Sequence, residues 1–183
     1  NRVFLESGMS IEKIAVLGAG QMGNGITQVA ACAGDHVTMI DIQQEYVEKG
    51  METISKSLSK LVAKERMTQA DADGAISRIS ISINRTAAAD ADLVVEAIPE
   101  IPELKFSTFA ELDEICKPEA ILASNTSSIS INEIAASTSR PDKVIGMHFM
   151  NPVPIMKLVE IINGSKTEEA VTHAVIEASE KKG

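Results

Sequence analysis

The feature that most constrains the fold is a set of three spaced glycines directly after an apolar, strand-like segment. Residues 13–18 read KIAVLG, and the glycines are Gly18, Gly20 and Gly23. In this G-x-G-x-x-G spacing the first glycine permits a tight turn and the second lets the backbone approach a pyrophosphate. The third lets a helix pack closely on the strand. The pattern therefore predicts a strand, a turn and a helix whose N-terminus faces a phosphate group.

A carboxylate ends the next predicted strand. Residues 36–41 read HVTMID, so Asp41 follows the glycine turn at the end of a second strand. A carboxylate there can accept hydrogen bonds from the adenosine ribose hydroxyls and would repel a 2′-phosphate. The two features together predict NAD rather than NADP as the cofactor. The alternative is a structural glycine-rich turn with an incidental aspartate.

The rest of the chain alternates predicted strands with predicted helices. Strands are expected at 79–83, 93–98, 120–125, 143–149 and 157–162, and helices at 22–33, 102–116, 131–137 and 167–181. Continuously apolar strands that alternate with helices predict the α/β class, with a doubly wound, Rossmann-type parallel sheet covered on both faces.

The segment between the second and third strands is longer than a usual connection. Its apolar residues recur every three or four positions, as a helix requires, and Thr68 with Asp71 is typical of the start of a second helix. We expect a helical hairpin that is inserted after the second strand and projects from the sheet. It either caps the fold or binds a ligand.

Composition limits the classes of partner. The net charge of −9 disfavours nucleic acid and anionic membrane surfaces, because both need a positive face. No C-x-x-C motif indicates a metal or redox site, and we expect Cys32 and Cys116 to be buried free thiols in a cytoplasmic protein. Residues 1–8 read as an expression remnant with the natural start at Met9, and residues 9–183 as one NAD-binding domain.

Polar residues follow several of the predicted strands. Glu96 and Glu100 come with the strand at 93–98, a serine-rich stretch follows the strand at 120–125, and Asn151 follows the strand at 143–149. Ligands of doubly wound sheets bind beyond the carboxyl ends of the strands. We therefore expect these side chains to converge on one edge of the sheet.

Two ionisable residues stand inside apolar strands. His148 lies in KVIGMHF and Glu160 in KLVEII, where a carboxylate is costly unless it is paired. A carboxylate beside the imidazole would orient it and stabilise the imidazolium, which is the arrangement of a general base. The alternatives are a core histidine that only packs and an edge-strand glutamate that faces solvent.

Four motifs resemble the 3-hydroxyacyl-CoA dehydrogenase family in order and spacing: GAGQMGNGI, DLVVEAIPE, ILASNTSSISI and IGMHFMNPVPIMKLVEI. The resemblance extends from Met9 to Gly183. It implies a catalytic His148–Glu160 pair, with Ser127 touching both substrate and cofactor. It implies coenzyme A contacts at Ser57, Lys64 and Ser127, and NAD contacts at Gly18, Ala19, Gly20, Gln21, Met22, Gly23, Asp41, Glu100, Lys105, Ser127 and Asn151.

The resemblance also implies an activity and a missing part. Family members oxidise an (S)-3-hydroxyacyl-CoA, here 3-hydroxybutyryl-CoA, to the 3-oxoacyl-CoA with NAD. They carry a second, all-helical domain that contributes to catalysis and forms the homodimer, and we expect residues 9–183 to be the NAD-binding domain without it. A dehydrogenase of free 3-hydroxy acids and a non-catalytic NAD-binding module are the competing interpretations.

Overall fold

The first strand and the glycine turn set the frame of the molecule. The computed structural model of the chain describes residues 10–156 and 158–181, so the predicted remnant at 1–8 and the start at Met9 lie outside the described residues. Residues 14–17 are buried on both faces of the sheet, as expected for the apolar run KIAVL at the centre of a parallel sheet.

Within the described residues the chain forms seven strands and six α-helices. The strands are β1 (Lys13–Leu17), β2 (His36–Ile40), β3 (Ile79–Ser82), β4 (Leu93–Glu96), β5 (Ile121–Ser124), β6 (Val144–Phe149) and β7 (Val159–Asn163). The helices are α1 (Gln21–Cys32), α2 (Gln44–Ala63), α3 (Gln69–Ser77), α4 (Pro102–Ile115), α5 (Ile131–Ala136) and α6 (Glu169–Glu180).

The strands form one sheet in the order β3-β2-β1-β4-β5-β6-β7. Neighbouring strands are parallel from β3 through β6, which confirms the doubly wound α/β prediction. The sheet is mostly rather than wholly parallel, because the last strand, β7, runs antiparallel to β6. The connection at 150–158 is shorter than the crossover of about a dozen residues that a parallel pairing needs.

The two faces of the sheet carry separate hydrophobic clusters. Ile14 and Val16 of β1 belong to the cluster beneath α1, α2, α3 and α6, whereas Ala15 and Leu17 belong to the cluster beneath α4 and α5. The same alternation holds in β6, where Ile145 faces the first cluster. His148 therefore lies on the α4 and α5 face of the sheet.

The insertion after β2 is the predicted helical hairpin, formed by α2 and α3. Thr68 caps α3 by accepting a hydrogen bond from the backbone N–H of Asp71. One side of the hairpin packs against the rest of the domain. Val47, Ile54 and Leu58 are fully buried in the cluster that includes α1, because they repeat at helical spacing along one side of α2.

The structure corrects one of the two expectations about the cysteines. Both cysteines are free, but only Cys116 is buried and Cys32 is exposed at the end of α1. Burial raises the pKa of the Cys116 thiol to about 11, so it is a packed thiol rather than a nucleophile. Among the described residues, no helix has the length and hydropathy of a bilayer span, and no cluster of three potential metal ligands occurs.

Candidate active site

The glycine turn has the backbone that its sequence predicts. Gly18 has φ of +109°, and a side chain there would collide with the carbonyl of Ala97. A side chain at Gly23 would collide with the backbone of Gly18, so the start of α1 packs directly on the turn. Gly20 is exposed, with open space where a side chain would stand. That open space beside the N-terminus of α1 fits a phosphate group.

Asp41 ties the end of β2 to this turn. Its Oδ2 accepts a hydrogen bond of 2.8 Å from the backbone N–H of Ala19, and its Oδ1 accepts one of 2.7 Å from Ile42. Each carboxylate oxygen can accept a further bond. The carboxylate is therefore held in place and still available to ribose hydroxyls.

Two grooves meet at Asp41. The first has a volume of about 350 Å³ and a mixed lining, in which Ile42, Ile83 and Ile98 supply the apolar part that suits a flat aromatic base. The second has a volume of about 470 Å³ and lies between the glycine turn and α2, with Lys49 on its α2 wall. Sequence reasoning missed these wall residues, although three isoleucines close to predicted strand ends were a usable signal.

His148 and Glu160 are brought together as predicted. They are directly opposed in the β6–β7 pairing, and His148 Nδ1 lies 3.5 Å from Glu160 Oε2. The side chains are 27% and 55% exposed, so Glu160 does not carry the burial cost that its apolar sequence context suggested. A separation of 3.5 Å is long for a hydrogen bond, but catalytic hydrogen bonds often shorten when substrate binds.

Ser127 lies on the loop after β5, where Glu100 holds it. Glu100 accepts hydrogen bonds from the backbone N–H of Ser127 at 3.2 Å and from its hydroxyl at 3.4 Å. A third hydrogen bond comes from the Thr126 hydroxyl at 2.6 Å. Partial burial raises the pKa of Glu100, but these hydrogen bonds and the Lys105 charge outweigh it and keep the pKa below its usual range.

Lys105 is not at the surface, where a direct cofactor contact would place it. Its side chain is 2% exposed, and its Nζ lies 2.6 Å from Glu96 and 3.4 Å from Glu100. Glu96 is fully buried and also accepts a hydrogen bond of 2.6 Å from Ser124. The predicted edge residues Glu96 and Glu100 thus do converge, through a lysine between them.

Asn151 and Gln21 join the loop after β6 to the glycine turn. Gln21 Nε2 donates a hydrogen bond of 3.1 Å to Asn151 Oδ1, and both residues are exposed. Met22 is half-buried and packs against the core. Asn125 Oδ1 accepts a hydrogen bond of 2.8 Å from the backbone N–H of Phe149, beside His148. The glycine turn, the serine loop and the histidine strand are therefore linked at one edge of the sheet.

Two of the three predicted coenzyme A residues, Ser57 and Lys64, lie on α2, whereas Ser127 lies on the loop after β5. Ser57 hydroxyl accepts a hydrogen bond of 3.0 Å from Gln28 of α1, and Lys64 is exposed at the end of α2. They are two helical turns apart and so share one side of α2.

The fold, the glycine turn and Asp41 define the class of protein: a Rossmann domain built to hold a dinucleotide. Residues 13–183 match the family model for the 3-hydroxyacyl-CoA dehydrogenase NAD-binding domain. The chain belongs to this family, and the domain it contains binds NAD.

Relatives and solved structures agree with this assignment. The chain is 50% identical over 175 residues to a probable 3-hydroxybutyryl-CoA dehydrogenase of Bacillus subtilis, covering 96% of this chain and 61% of the relative. It is 45% identical to the crystal structure of (S)-3-hydroxybutyryl-CoA dehydrogenase PaaH1 from Ralstonia eutropha, with a TM-score of 0.93, covering 95% and 62%. A diketoreductase is 30% identical with a TM-score of 0.89, covering 95% and 62%. The chain thus spans about three-fifths of the length of these proteins.

Proposed function

We propose that the chain is the coenzyme-binding part of an NAD-dependent dehydrogenase that interconverts (S)-3-hydroxybutyryl-CoA and its 3-oxoacyl thioester. The observation that carries the proposal is the His148–Glu160 pair, opposed across β6 and β7. The pair lies at the sheet edge that carries the glycine turn, as an acid–base group for hydride chemistry at a bound nicotinamide requires. The relatives' names support the substrate class.

His148 removes the proton from the 3-hydroxyl group of the substrate. Glu160, 3.5 Å from its ring, orients the imidazole and stabilises the imidazolium that forms. The Ser127 hydroxyl hydrogen-bonds the substrate oxygen, and Glu100 holds Ser127 in position. NAD, when bound, supplies the acceptor for the hydride from C3. In the reverse direction His148 returns the proton to the oxygen.

Backbone and side chains divide the work of holding NAD. The turn at 18–23 would hold the diphosphate, Asp41 would hold the adenosine ribose, and Asn151 would contact the nicotinamide half of the coenzyme. Lys105 acts through Glu100 rather than by touching NAD, because its ammonium group is buried between two carboxylates. Asp41 supports NAD against NADP, since a 2′-phosphate would meet its carboxylate.

Ser57 and Lys64 are proposed to bind coenzyme A along α2. Lys64 is exposed, and no ion pair among the described residues occupies it. Its ammonium group is therefore available to a phosphate. We further propose that the whole protein works in the cytoplasm as a homodimer formed through an all-helical domain beyond residue 183.

The test is a parallel assay of NADH oxidation by the complete protein with acetoacetyl-CoA and with free acetoacetate. Oxidation with the thioester alone supports the proposal. Binding of NADH without oxidation of either compound would contradict it and leave a non-catalytic NAD-binding module.

A reductase of free oxo compounds is a second candidate, supported by the 30% identity to a diketoreductase. Such an enzyme would make no use of Ser57 and Lys64. Equal turnover of acetoacetate and acetoacetyl-CoA, with no competition from free coenzyme A, would favour it over the first candidate.

A further inference from the structure

The buried carboxylate of Glu96 has no part in the proposed mechanism. It is fully shielded from solvent and accepts three hydrogen bonds, from Lys105 Nζ at 2.6 Å, Ser124 Oγ at 2.6 Å and the backbone N–H of Ile98 at 2.9 Å. A buried ion pair is weak evidence of stabilisation, because desolvation offsets much of its attraction. Its position beside the site calls for another explanation.

We propose that Glu96 is a positioning residue that neutralises Lys105 and thereby leaves the negative charge of Glu100 facing the nicotinamide end of NAD. The consequence is a ratio of NAD⁺ affinity to NADH affinity that is higher than the same site would have without this charge. This inference rests on the proposed function, which places the nicotinamide at this edge.

The cluster formed by Glu96, Glu100 and Lys105 has a net charge of −1, from two carboxylates and one ammonium group. Lys105 Nζ lies closer to Glu96, at 2.6 Å, than to Glu100, at 3.4 Å. Glu100 is also the only one of the three side chains with substantial exposure, at 39%. The uncompensated charge of the cluster is therefore presented to solvent, and to a ligand, at Glu100.

The nicotinamide must lie near Glu100 if His148 and Ser127 act on one substrate. Hydride transfer requires the ring to approach the carbon whose oxygen these two residues contact. Glu100 hydrogen-bonds Ser127 directly. The oxidised ring is positively charged and the reduced ring is neutral, so a nearby carboxylate favours the oxidised form.

The experiment measures the dissociation constants of NAD⁺ and NADH for variants of the complete protein and compares their ratio. In Glu96→Gln the cluster has no net charge, and we expect the preference for NAD⁺ to fall by about three- to tenfold. Adding Lys105→Met to that variant returns the net charge to −1, and we expect the ratio to recover. Asp113→Asn is the matched control, a carboxylate lost from the far end of α4.

A role of Glu96 through its charge and a purely structural role predict different outcomes for these variants. If Glu96 were only structural, Glu96→Gln would weaken both coenzyme forms equally, and the second substitution would deepen the loss. Either result overturns the inference. Glu100→Gln is an independent variant outside the core: it too must lower the ratio, and an unchanged ratio overturns the inference even if Glu96→Gln does not fold.

A failure of the proposed function can be distinguished from a failure of the inference about Glu96. A wild-type protein that binds both coenzyme forms but turns over no thioester contradicts the proposed reaction, while the measured ratios still decide the role of Glu96. A wild-type protein that binds neither form would overturn both.

Discussion

Each end of α4 carries a basic side chain paired with carboxylates, but the two ion-pair clusters differ in what surrounds them. At its C-terminal end Arg140 pairs with Asp113 at 2.7 Å and donates to backbone carbonyls, among them those of Cys116, Lys117 and Ala120. Those carbonyls belong to the end of α4 and to the turn that follows, so the arginine serves as a helix cap. At its N-terminal end Lys105 meets two carboxylates, and one of them remains partly exposed.

The difference shows how one kind of ion pair can serve structure or function. The Arg140 cluster closes on itself, since its donors are used within the protein. The Lys105 cluster is open at Glu100, which is partly exposed and accepts hydrogen bonds from the serine loop. We therefore expect substitutions in the Arg140 cluster to change stability, and substitutions at the candidate active site beside the Lys105 cluster to change catalysis.

The largest expected effect is on catalysis. His148→Gln removes the acid–base group and should lower kcat by about 10²–10⁴-fold. Because the side chain is partly exposed, the free energy of unfolding should change little, and NAD affinity should stay near wild type. Steady-state kinetics of the complete protein with a coenzyme titration check this, and retained activity would remove His148 from the mechanism.

The next largest effect is on stability, in the Arg140 cluster. Arg140→Met removes the charged partner of Asp113 and the donor to several helix-end carbonyls, and should cost about 3–5 kcal/mol of unfolding free energy. Urea denaturation measures the loss. Arg85→Met is the matched control, since its pair with Glu111 is more exposed and should be worth about 1 kcal/mol or less. A similar loss in both variants would remove the distinction between the two clusters.

A smaller effect is expected on α2, away from both ends of α4. Lys64→Ala should raise KM for the acyl-CoA about tenfold with little change in kcat, because it removes one charge that contacts the substrate away from the reacting atoms. Lys56→Ala is the control, since Lys56 pairs with Glu52 on another side of the helix. Unchanged KM in Lys64→Ala would favour the reductase of free oxo compounds.

The smallest effect concerns acid stability. Partial burial raises the pKa of Asp113, but hydrogen bonds from Ser139 and Arg140 outweigh it and lower the pKa below its usual value. A lowered folded-state pKa adds stability above the unfolded pKa of about 4, and that stability is lost as the pH falls through the folded value. Acid unfolding should therefore be less steep in Asp113→Asn, and an identical pH profile would contradict the assignment.

Local patterns predicted the glycine turn, Asp41 and the helical hairpin, because short-range spacing determines each of them. The His148–Glu160 pair was also predictable, since two ionisable residues interrupted neighbouring apolar strands. The direction of β7 was also readable from the sequence, because the predicted strands at 143–149 and 157–162 leave a connection too short for a parallel crossover. The sequence could not show that Lys105 is buried, because the partners that bury it come from β4 and from the segment that follows β4.

The antiparallel pairing of β6 with β7 has a consequence for how this protein can evolve. His148 and Glu160 face each other only because their strands align in one register. A slip of one residue would turn Glu160 to the opposite face of the sheet and separate the pair. Insertions or deletions in the connecting segment at 150–158 are therefore compatible with chemistry only when the strand alignment survives, however well the altered chain folds.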